Sequence, residues 1–270
     1  MRVLLALLFV GSAWAQDPRE IVAKSLARDE RNLDLLNTYT YEKHTTIRTR
    51  EKDGSVKKTE SRVEEVIHID GTEVEHLVSK NGKALEGKEA EEARKKLDKE
   101  VEKIRKESAS ERAKRRGETE KDKREEREAR REVLEAYDFA LLGSEERNGR
   151  LTWKIEGKPK PGWKGKGRRA NQFKALQGRL WIDQETYEWV RMELDSIDTI
   201  SFGWFLFRLQ PGAQIQVDQT QVNGELWLPK HVNVRADARL IGKMVRVDIE
   251  QDYRNFRKFS SDSKLIVGAQ

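Results

Sequence analysis

The sequence contains no cysteine. Disulfide bonds, thiol catalysis, thiolate metal sites and a lipid anchor on an N-terminal cysteine are therefore excluded. Histidine is scarce, and the chain has no nucleophile elbow, zinc-binding HExxH helix, phosphate-binding loop or dinucleotide-binding glycine pattern. These absences predict a protein that is not an enzyme and that uses no cofactor and no metal.

Long apolar runs are also rare. The main one, residues 3–10 (VLLALLFV), follows Arg2 and precedes the small-residue pattern SAWA at residues 12–15. A positive residue, a short apolar run and small residues at alternate positions are typical of a secretory signal peptide. We predict export to the periplasm with cleavage after Ala15, leaving residues 16–270 as a single domain. No later apolar run is long enough to predict a membrane-spanning helix.

Charge is concentrated in one block. Residues 88–132 contain 18 Lys or Arg and 15 Asp or Glu. Apolar residues at steps of three and four predict a helical insertion over about residues 87–136, broken near Arg115-Arg116-Gly117. The apolar seam comprises Ala90, Ala93, Leu97, Val101 and Ile104. The mixed charge argues against nucleic acid as a partner.

The role of this block has three interpretations. It is a coiled-coil surface for a partner, an arm that binds a polyanion, or a solvated insertion whose seam rests on the rest of the domain. A carrier would keep its ligand after deletion of residues 88–132, whereas an adaptor would lose its partner.

The remainder reads mainly as strands. After a predicted helix at about residues 18–36, apolar residues alternate with polar ones through roughly ten or eleven antiparallel strands. Pro229 predicts a kink or bulge because it cannot donate to a strand ladder. Tight turns are predicted at residues 52–55, Asp70-Gly71, Asn81-Gly82, Asn148-Gly149 and Asn223-Gly224. A sheet that is apolar on one side must bury that side, and the helices are the available cover.

Two polar positions have structural interpretations. A two-residue turn at Asp70-Gly71 places His68 and His76 each opposite a glutamate rather than opposite each other. Asp183 is expected to begin a turn through side-chain hydrogen bonds.

Four features occur together: the signal peptide, a helix leading to a strand with Tyr39 and Tyr41, the sheet with a helical insertion, and residues 178–193 (GRLWIDQETYEWVRME). In these features the sequence resembles the LolA/LolB-like lipoprotein-carrier superfamily, and particularly exported proteins called outer membrane lipoprotein-sorting proteins. The resemblance implies a curved half-barrel of about eleven strands with helices over its concave side, where members carry acyl chains or hydrophobic peptides. The charged block is longer than a carrier needs, and the cysteine of the lipid-anchored branch is missing.

The sequence therefore predicts a monomeric, non-catalytic periplasmic carrier of a lipid, lipoprotein or other apolar ligand. The alternative is a cell-envelope interaction module that recruits a partner through its charged helices. The candidate cavity residues are Leu180, Ile182, Val190, Met192, Leu194, Phe202, Trp204, Phe205, Phe207, Val232, Val234, Val247 and Ile249.

A basic loop follows residue 157. Its cations surround one tryptophan, a composition that suits an anionic envelope surface, although a solvated connection explains it equally well. The candidate contact residues are Lys160, Trp163, Lys164, Lys166, Arg168 and Arg169.

Residues 200–209 (ISFGWFLFRL) are the most apolar stretch after the leader. The apolar residues of the preceding strand have even numbers, such as Leu194, and those of the following strand have odd numbers, such as Ile215. We take this change to mean that the chain crosses or bends here. The segment is predicted to fold over the mouth of the sheet with Trp204 or Phe205 towards the cavity, the alternatives being core burial and a membrane contact.

Overall fold

The computed structural model describes residues 16–202 and 207–258. The predicted signal peptide, together with Trp204 and Phe205, lies outside the described residues. The fold is mainly an antiparallel sheet, open and curved, with four helices. This confirms the predicted half-barrel with helices.

All strands that the structure describes belong to one sheet. The helices are α1 Pro18–Leu36, α2 Gly87–Arg105, α3 Ala109–Ala136 and α4 Arg168–Gln172, and a 3-10 turn spans Phe173–Ala175. The strands are β1 Tyr39–Arg50, β2 Val56–Ile69, β3 Thr72–Lys80, β4 Lys83–Ala84, β5 Tyr137–Arg147, β6 Arg150–Pro159, β7 Leu176–Asp183, β8 Trp189–Ser196, β9 Ile200–Phe202, β10 Phe207–Leu209, β11 Gln214–Val222, β12 Leu226–Leu240 and β13 Lys243–Lys258.

The strand order is β4-β3-β2-β1-β13-β12-β11-β8-β7-β6-β5. The last strand of the chain therefore joins the first one in the middle of the sheet. β13 pairs with one edge of β12, and two strands share its other edge: β11 pairs with residues 226–235 of β12, and β10 pairs with residues 238–240. β9 pairs with β10, so the hairpin β9–β10 is joined to the sheet through the second half of β12.

The turn chemistry predicted from the sequence is confirmed. Asp70, Asn81, Asn148 and Asn223 all have positive φ and each precedes a glycine. His68 lies opposite Glu73, and His76 lies opposite Glu65. The ladder between β11 and β12 shifts register beside Pro229, as expected for a residue that cannot donate a ladder bond.

The charged block breaks at a different place from the one predicted. α2 ends at Arg105, and α3 begins after Ser108, whose hydroxyl accepts from Glu111 N at 3.2 Å while its own N donates to Glu111 Oε2 at 2.8 Å. Gly117 lies inside α3. One glycine costs a helix only about 1 kcal/mol, so it does not end the helix, whereas the reciprocal cap at Ser108 starts one.

The apolar seam of α2 rests on the sheet. Leu97 and Ile104 are buried in one cluster with Val74 of β3, and Ile67 and Val101 pack beside them. The first helix of the block is therefore held by a narrow contact, while its charged faces remain in solvent.

The change from even-numbered to odd-numbered apolar residues does not show that the chain crosses or bends at residues 200–209, and that inference is wrong. Ile215 lies directly opposite Leu194, so the two share a face although one number is odd and the other even. Directly paired residues in this antiparallel ladder have an odd sum, and the change of parity requires no crossing. The described ends of the segment form β9 and β10, where Ile200 and Leu209 are buried with Ala236.

Candidate ligand cavity between the sheet and the helices

A cavity of about 610 Å³ lies between the sheet and the helices. One wall comes from α1, α3 and α4, and the other from β5–β8, β11 and the start of β12. Sites for small molecules in proteins are commonly clefts of about 300–1,000 Å³, so this one is large enough for a ligand.

Most of the wall is hydrocarbon. The sheet contributes the predicted residues Leu180, Met192 and Leu194, and α1 contributes Val22 and Leu26. From α3 the wall receives Ala129 and Val133. The structure thus brings three of the predicted cavity residues together and completes the wall with helical ones.

Two glycines, which have no side chains, line the cavity on the sheet side. Gly157 and Gly178 lie directly opposite each other on β6 and β7, and both line the cavity. A Cβ atom on Gly178 would lie 2.0 Å from the carbonyl oxygen of Glu193, so the backbone of β8 requires glycine there. A Cβ atom on Gly157 would meet the rings of Tyr137 and Phe139 at 3.4 Å, an ordinary contact.

A chain of polar contacts joins the helices above the cavity. Trp189 Nε1 donates to Asp29 Oδ1 at 3.0 Å, and the other oxygen of Asp29 accepts from Arg130. Arg130 also donates to Glu126 Oε1 at 2.8 Å. Burial lowers the pKa of Arg130, but an arginine remains charged in proteins. These contacts fix α1, α3 and β8 relative to one another.

A second set of polar contacts joins the C-terminal part of α1 to the sheet. Asn32 donates from Nδ2 to Glu188 Oε2 at 2.8 Å, and its Oδ1 accepts from the backbone N of Trp227 at 3.2 Å. Burial raises the pKa of Glu188, and the hydrogen bond from Asn32 opposes that shift. The two hydrogen bonds of Asn32 hold this part of α1 against the residue before β8 and against β12.

Charged side chains mark where the cavity meets solvent. Glu126 and Arg169 are half-buried and Arg179 is exposed, and all three belong to the wall. Charged residues of α3, α4 and β7 therefore border the apolar interior of the cavity.

The other predicted cavity residues lie elsewhere. Ile182 is fully buried in a closed core with Ile155, and Val190 packs with Trp181 and Trp227. Four valine and isoleucine candidates are half-buried on the central strands, outside the cavity wall: Val232, Val234, Val247 and Ile249. Phe202 and Phe207 belong to β9 and β10, and their side chains lie outside the description.

Sequence reasoning missed the helical half of the wall. Val22, Leu26 and Asp29 recur at steps of four and three on α1, which places them on one helix face. That spacing is present in the sequence, but the strand alternation that indicates the predicted cavity residues contains no information about a helix face.

The basic loop is tied to α3. The backbone N of Lys166 donates to Glu132 Oε2 at 2.9 Å, and Arg169 donates to Asp122 Oδ1 at 2.9 Å. Trp163 donates from its backbone N to Lys160 O at 3.3 Å in a turn. Lys164 and Lys166 point to solvent, and the side chain of Arg168 lies outside the description. Contact of this loop with an anionic surface stays a prediction.

One group of side chains has a composition that metals favour. His231 Nδ1 lies 3.0 Å from Asp252 Oδ1, and Glu250 is close to both. However, Glu250 already pairs with Arg48 at 3.0 Å, and Arg254 lies 3.5 Å from the other oxygen of Asp252. The cationic partners make this group an ion-pair network on the sheet face rather than a metal site.

No family model matches the chain, and no curated protein is similar to it in sequence. Solved structures similar to this chain include the following three. A DUF1329 family protein from Desulfovibrio piger is 15% identical with a TM-score of 0.36, covering 93% of this chain and 98% of that chain. A putative outer membrane lipoprotein-sorting protein domain from Vibrio parahaemolyticus is 11% identical with a TM-score of 0.35, covering 90% of this chain and 95% of that chain.

A LolA superfamily protein from Nitrosomonas europaea is 10% identical with a TM-score of 0.31, covering 93% of this chain and 97% of that chain. The second and third of these groups, but not the DUF1329 family, are those named above from the sequence. Because the overlaps are low, the half-barrel assignment rests on strand order and curvature. Among the residues that the structure describes, no helix is long and apolar enough to cross a membrane.

Proposed function

We propose that this protein is an exported, non-catalytic binding or carrier protein that shelters an acyl chain or another apolar ligand. The observation that carries the proposal is the cavity of about 610 Å³ with a mainly hydrocarbon wall. The protein acts as a monomer in the periplasm, after removal of residues 1–15.

Burial alone supplies the affinity in this mechanism. Each methylene removed from water contributes roughly 0.8 kcal/mol, so an acyl chain of about sixteen carbons gives roughly 13 kcal/mol. After a cost of about 5 kcal/mol for immobilising the chain, roughly 8 kcal/mol remains, which corresponds to a micromolar affinity without any chemical step.

The charged edge suits an amphiphile. An acyl chain lying against Leu180, Met192 and Leu194 would leave its polar head near Arg179 and the helical edge. The resemblance of the sequence to lipoprotein carriers makes the acyl group of a lipoprotein the first ligand to test.

Native mass spectrometry of the protein purified from its own cell envelope tests the proposal, and titration with a fluorescent fatty acid measures affinity. Bound lipid is expected in the spectrum. Apo protein together with no fatty-acid binding would refute the carrier function.

Two substitutions on α3 form a matched pair for this titration. Ala129→Trp fills the cavity, because Ala129 is buried in its wall, whereas Ala113→Trp makes the same change at an exposed position. We expect Ala129→Trp to weaken binding and Ala113→Trp to leave it unchanged. Met192→Gln, similar in volume but polar, repeats the test if Ala129→Trp fails to fold. Equal binding by all variants would place the ligand elsewhere.

Deletion of residues 88–132 does not separate the interaction-module alternative from the carrier function. Glu126, Ala129 and Arg130 belong to α3 and line the cavity, so removing residues 88–132 would destroy the wall as well as the charged surface. The helix α2 contributes no residue to the wall within the described chain. Detaching α2 with Leu97→Asp, while α3 stays, separates partner binding from ligand binding.

A further inference from the structure

The turn between β12 and β13 differs in chemistry from the other tight turns. Asp70, Asn81, Asn148 and Asn223 adopt φ values of 49°, 51°, 52° and 50° before a glycine. At the β12–β13 turn the same conformation is adopted by Ile241, with φ 46°, before Gly242. Asparagine and aspartate tolerate this region, whereas a β-branched residue is strongly disfavoured there.

Burial does not account for the isoleucine. Ile241 is 76% exposed, and its neighbours Leu240 and Met244 are 45% and 42% exposed. We call these three residues the apolar tip. An apolar side chain in solvent, in a conformation that opposes it, stabilises neither the turn nor the core.

The apolar tip is flanked by positive charge. Arg239 and Lys243 are both exposed, and neither has a carboxylate within ion-pair distance among residues 16–202 and 207–258. The nearest acid along β12, Asp237, is already paired with Arg246 at 3.3 Å and with Arg50 at 3.5 Å.

We propose that the apolar tip is a docking site for the surface of a lipid bilayer with anionic headgroups. Leu240, Ile241 and Met244 would enter the boundary between headgroups and acyl chains, and Arg239 and Lys243 would lie against the phosphates. Lysine and arginine suit this position because their stems are apolar and their heads are charged.

The size of the patch favours a bilayer over a protein partner. A stable protein interface commonly buries about 800 Å² on each side, from roughly 20–30 residues. The apolar tip offers three apolar side chains at the end of one hairpin. Insertion into a lipid interface needs only a few such side chains with adjacent cations.

The docking site is separate from the ligand cavity. Pro229 of β12 lines the cavity, and Ile241 lies twelve residues further along the same strand and turn. At about 3.3 Å per residue this is roughly 40 Å of chain. Membrane docking therefore does not depend on the proposed carrier function, and loss of one leaves the other measurable.

Co-sedimentation of the full protein with lipid vesicles tests the proposal. Vesicles of phosphatidylcholine mixed with phosphatidylglycerol are compared with vesicles of phosphatidylcholine alone. We expect binding to the mixed vesicles that weakens as salt is added. All variants keep the same N-terminus, so a difference between them reports on the substituted residue.

Ile241→Asn is the decisive variant because it restores the asparagine–glycine pair of the other turns. We expect roughly tenfold weaker vesicle binding with an unchanged or raised melting temperature. Arg239→Gln and Lys243→Gln should each weaken binding roughly fivefold and reduce its salt dependence. Leu151→Asn, at an apolar residue 54% exposed on β6, is the matched control and should bind like the wild type.

Three results would overturn the proposal. They are no binding of the wild type to the mixed vesicles, equal binding by Ile241→Asn, and self-association in gel filtration that Ile241→Asn abolishes without vesicles. The last result would assign the apolar tip to a second copy of the chain.

Discussion

The end of the curved sheet made by β5–β8 is packed with apolar side chains, whereas the central strand β13 is not, although both regions alternate apolar and polar residues. In the region made by β5–β8, Ile155 and Ile182 are fully buried and pack with Ile21 of α1. In the central strand β13, none of the residues 243–258 is buried. The difference comes from α1 and α3, which cover the first region.

Around β13, ion pairs and contacts between aromatic rings stabilise the sheet. Lys43 lies 3.4 Å from Glu64 Oε2 and also pairs with Glu75. Beside it the ring of Tyr41 contacts those of Tyr253 and Phe256, at centroid distances of 5.8 and 5.6 Å. The same alternating pattern thus supports a closed core on one side and an amphipathic, half-exposed face on the other.

A matched pair of truncations tests this difference most strongly. Ile182→Ala removes a fully buried side chain and should lower the free energy of unfolding by about 4 kcal/mol. Ile249→Ala, on half-buried β13, should lower it by about 1 kcal/mol. Urea unfolding measures both changes in the free energy of unfolding. Equal changes would show that β7 and β13 are packed alike.

Asp183→Asn comes next, with an expected loss of about 3 kcal/mol at neutral pH. Asp183 accepts from Arg150 Nη2 at 2.9 Å and from Thr186 N at 2.7 Å, at the turn between β7 and β8. This is the predicted turn-starting role.

The pKa of Asp183 determines how its contribution to stability changes with pH. Burial acts to raise the pKa of Asp183, but the bonds from Arg150 and Thr186 outweigh it and hold the pKa below its ordinary value. Its contribution is therefore complete above the unfolded pKa of about 3.9 and is lost as the pH falls below that. Thermal melts from pH 6 down to about 2 should show a shallower decline for Asp183→Asn. Parallel curves would contradict the account.

Leu97→Ala should cost about 2 kcal/mol, because it removes the buried contact by which α2 rests on β3. The loss should appear as a lower urea midpoint, with fatty-acid binding unchanged. Leu151→Ala at an exposed site is the control. A loss no larger than that of the control would show that α2 is not held by its seam.

Ser108→Ala is the smallest effect, about 1 kcal/mol, because it removes the side-chain cap of α3. Ser110→Ala, two residues later in the exposed first turn, is the comparison and should be close to neutral. Circular dichroism during thermal unfolding distinguishes the two, and identical melting temperatures would mean that the cap contributes nothing.

Local chemistry in the sequence predicted the hairpins well, because a turn depends on two or three adjacent residues. Asn148-Gly149 and the glutamate partners of His68 and His76 are examples. The turn at Ile241-Gly242 carried no such signal, since its first residue opposes the conformation that it adopts.

The cavity was only half predictable. Alternation on β7 and β8 predicted Leu180, Met192 and Leu194 as cavity residues. The same alternation on β12 and β13 predicted Val232 and Ile249, which lie outside the wall. Which part of a sheet receives a helix depends on contacts between residues far apart in the chain, such as Trp189 with Asp29. Strand periodicity contains no information about such contacts.

The facing glycines of β6 and β7 make the capacity of the cavity adjustable at a single position. Gly178 is fixed by the carbonyl oxygen of Glu193, whereas Gly157 meets only the rings of Tyr137 and Phe139. A graded series at Gly157, from alanine to valine, would crowd those two rings, which belong to the cavity wall. The volume of the cavity can therefore be varied at one residue, while the close approach of β7 and β8 at Gly178 is kept.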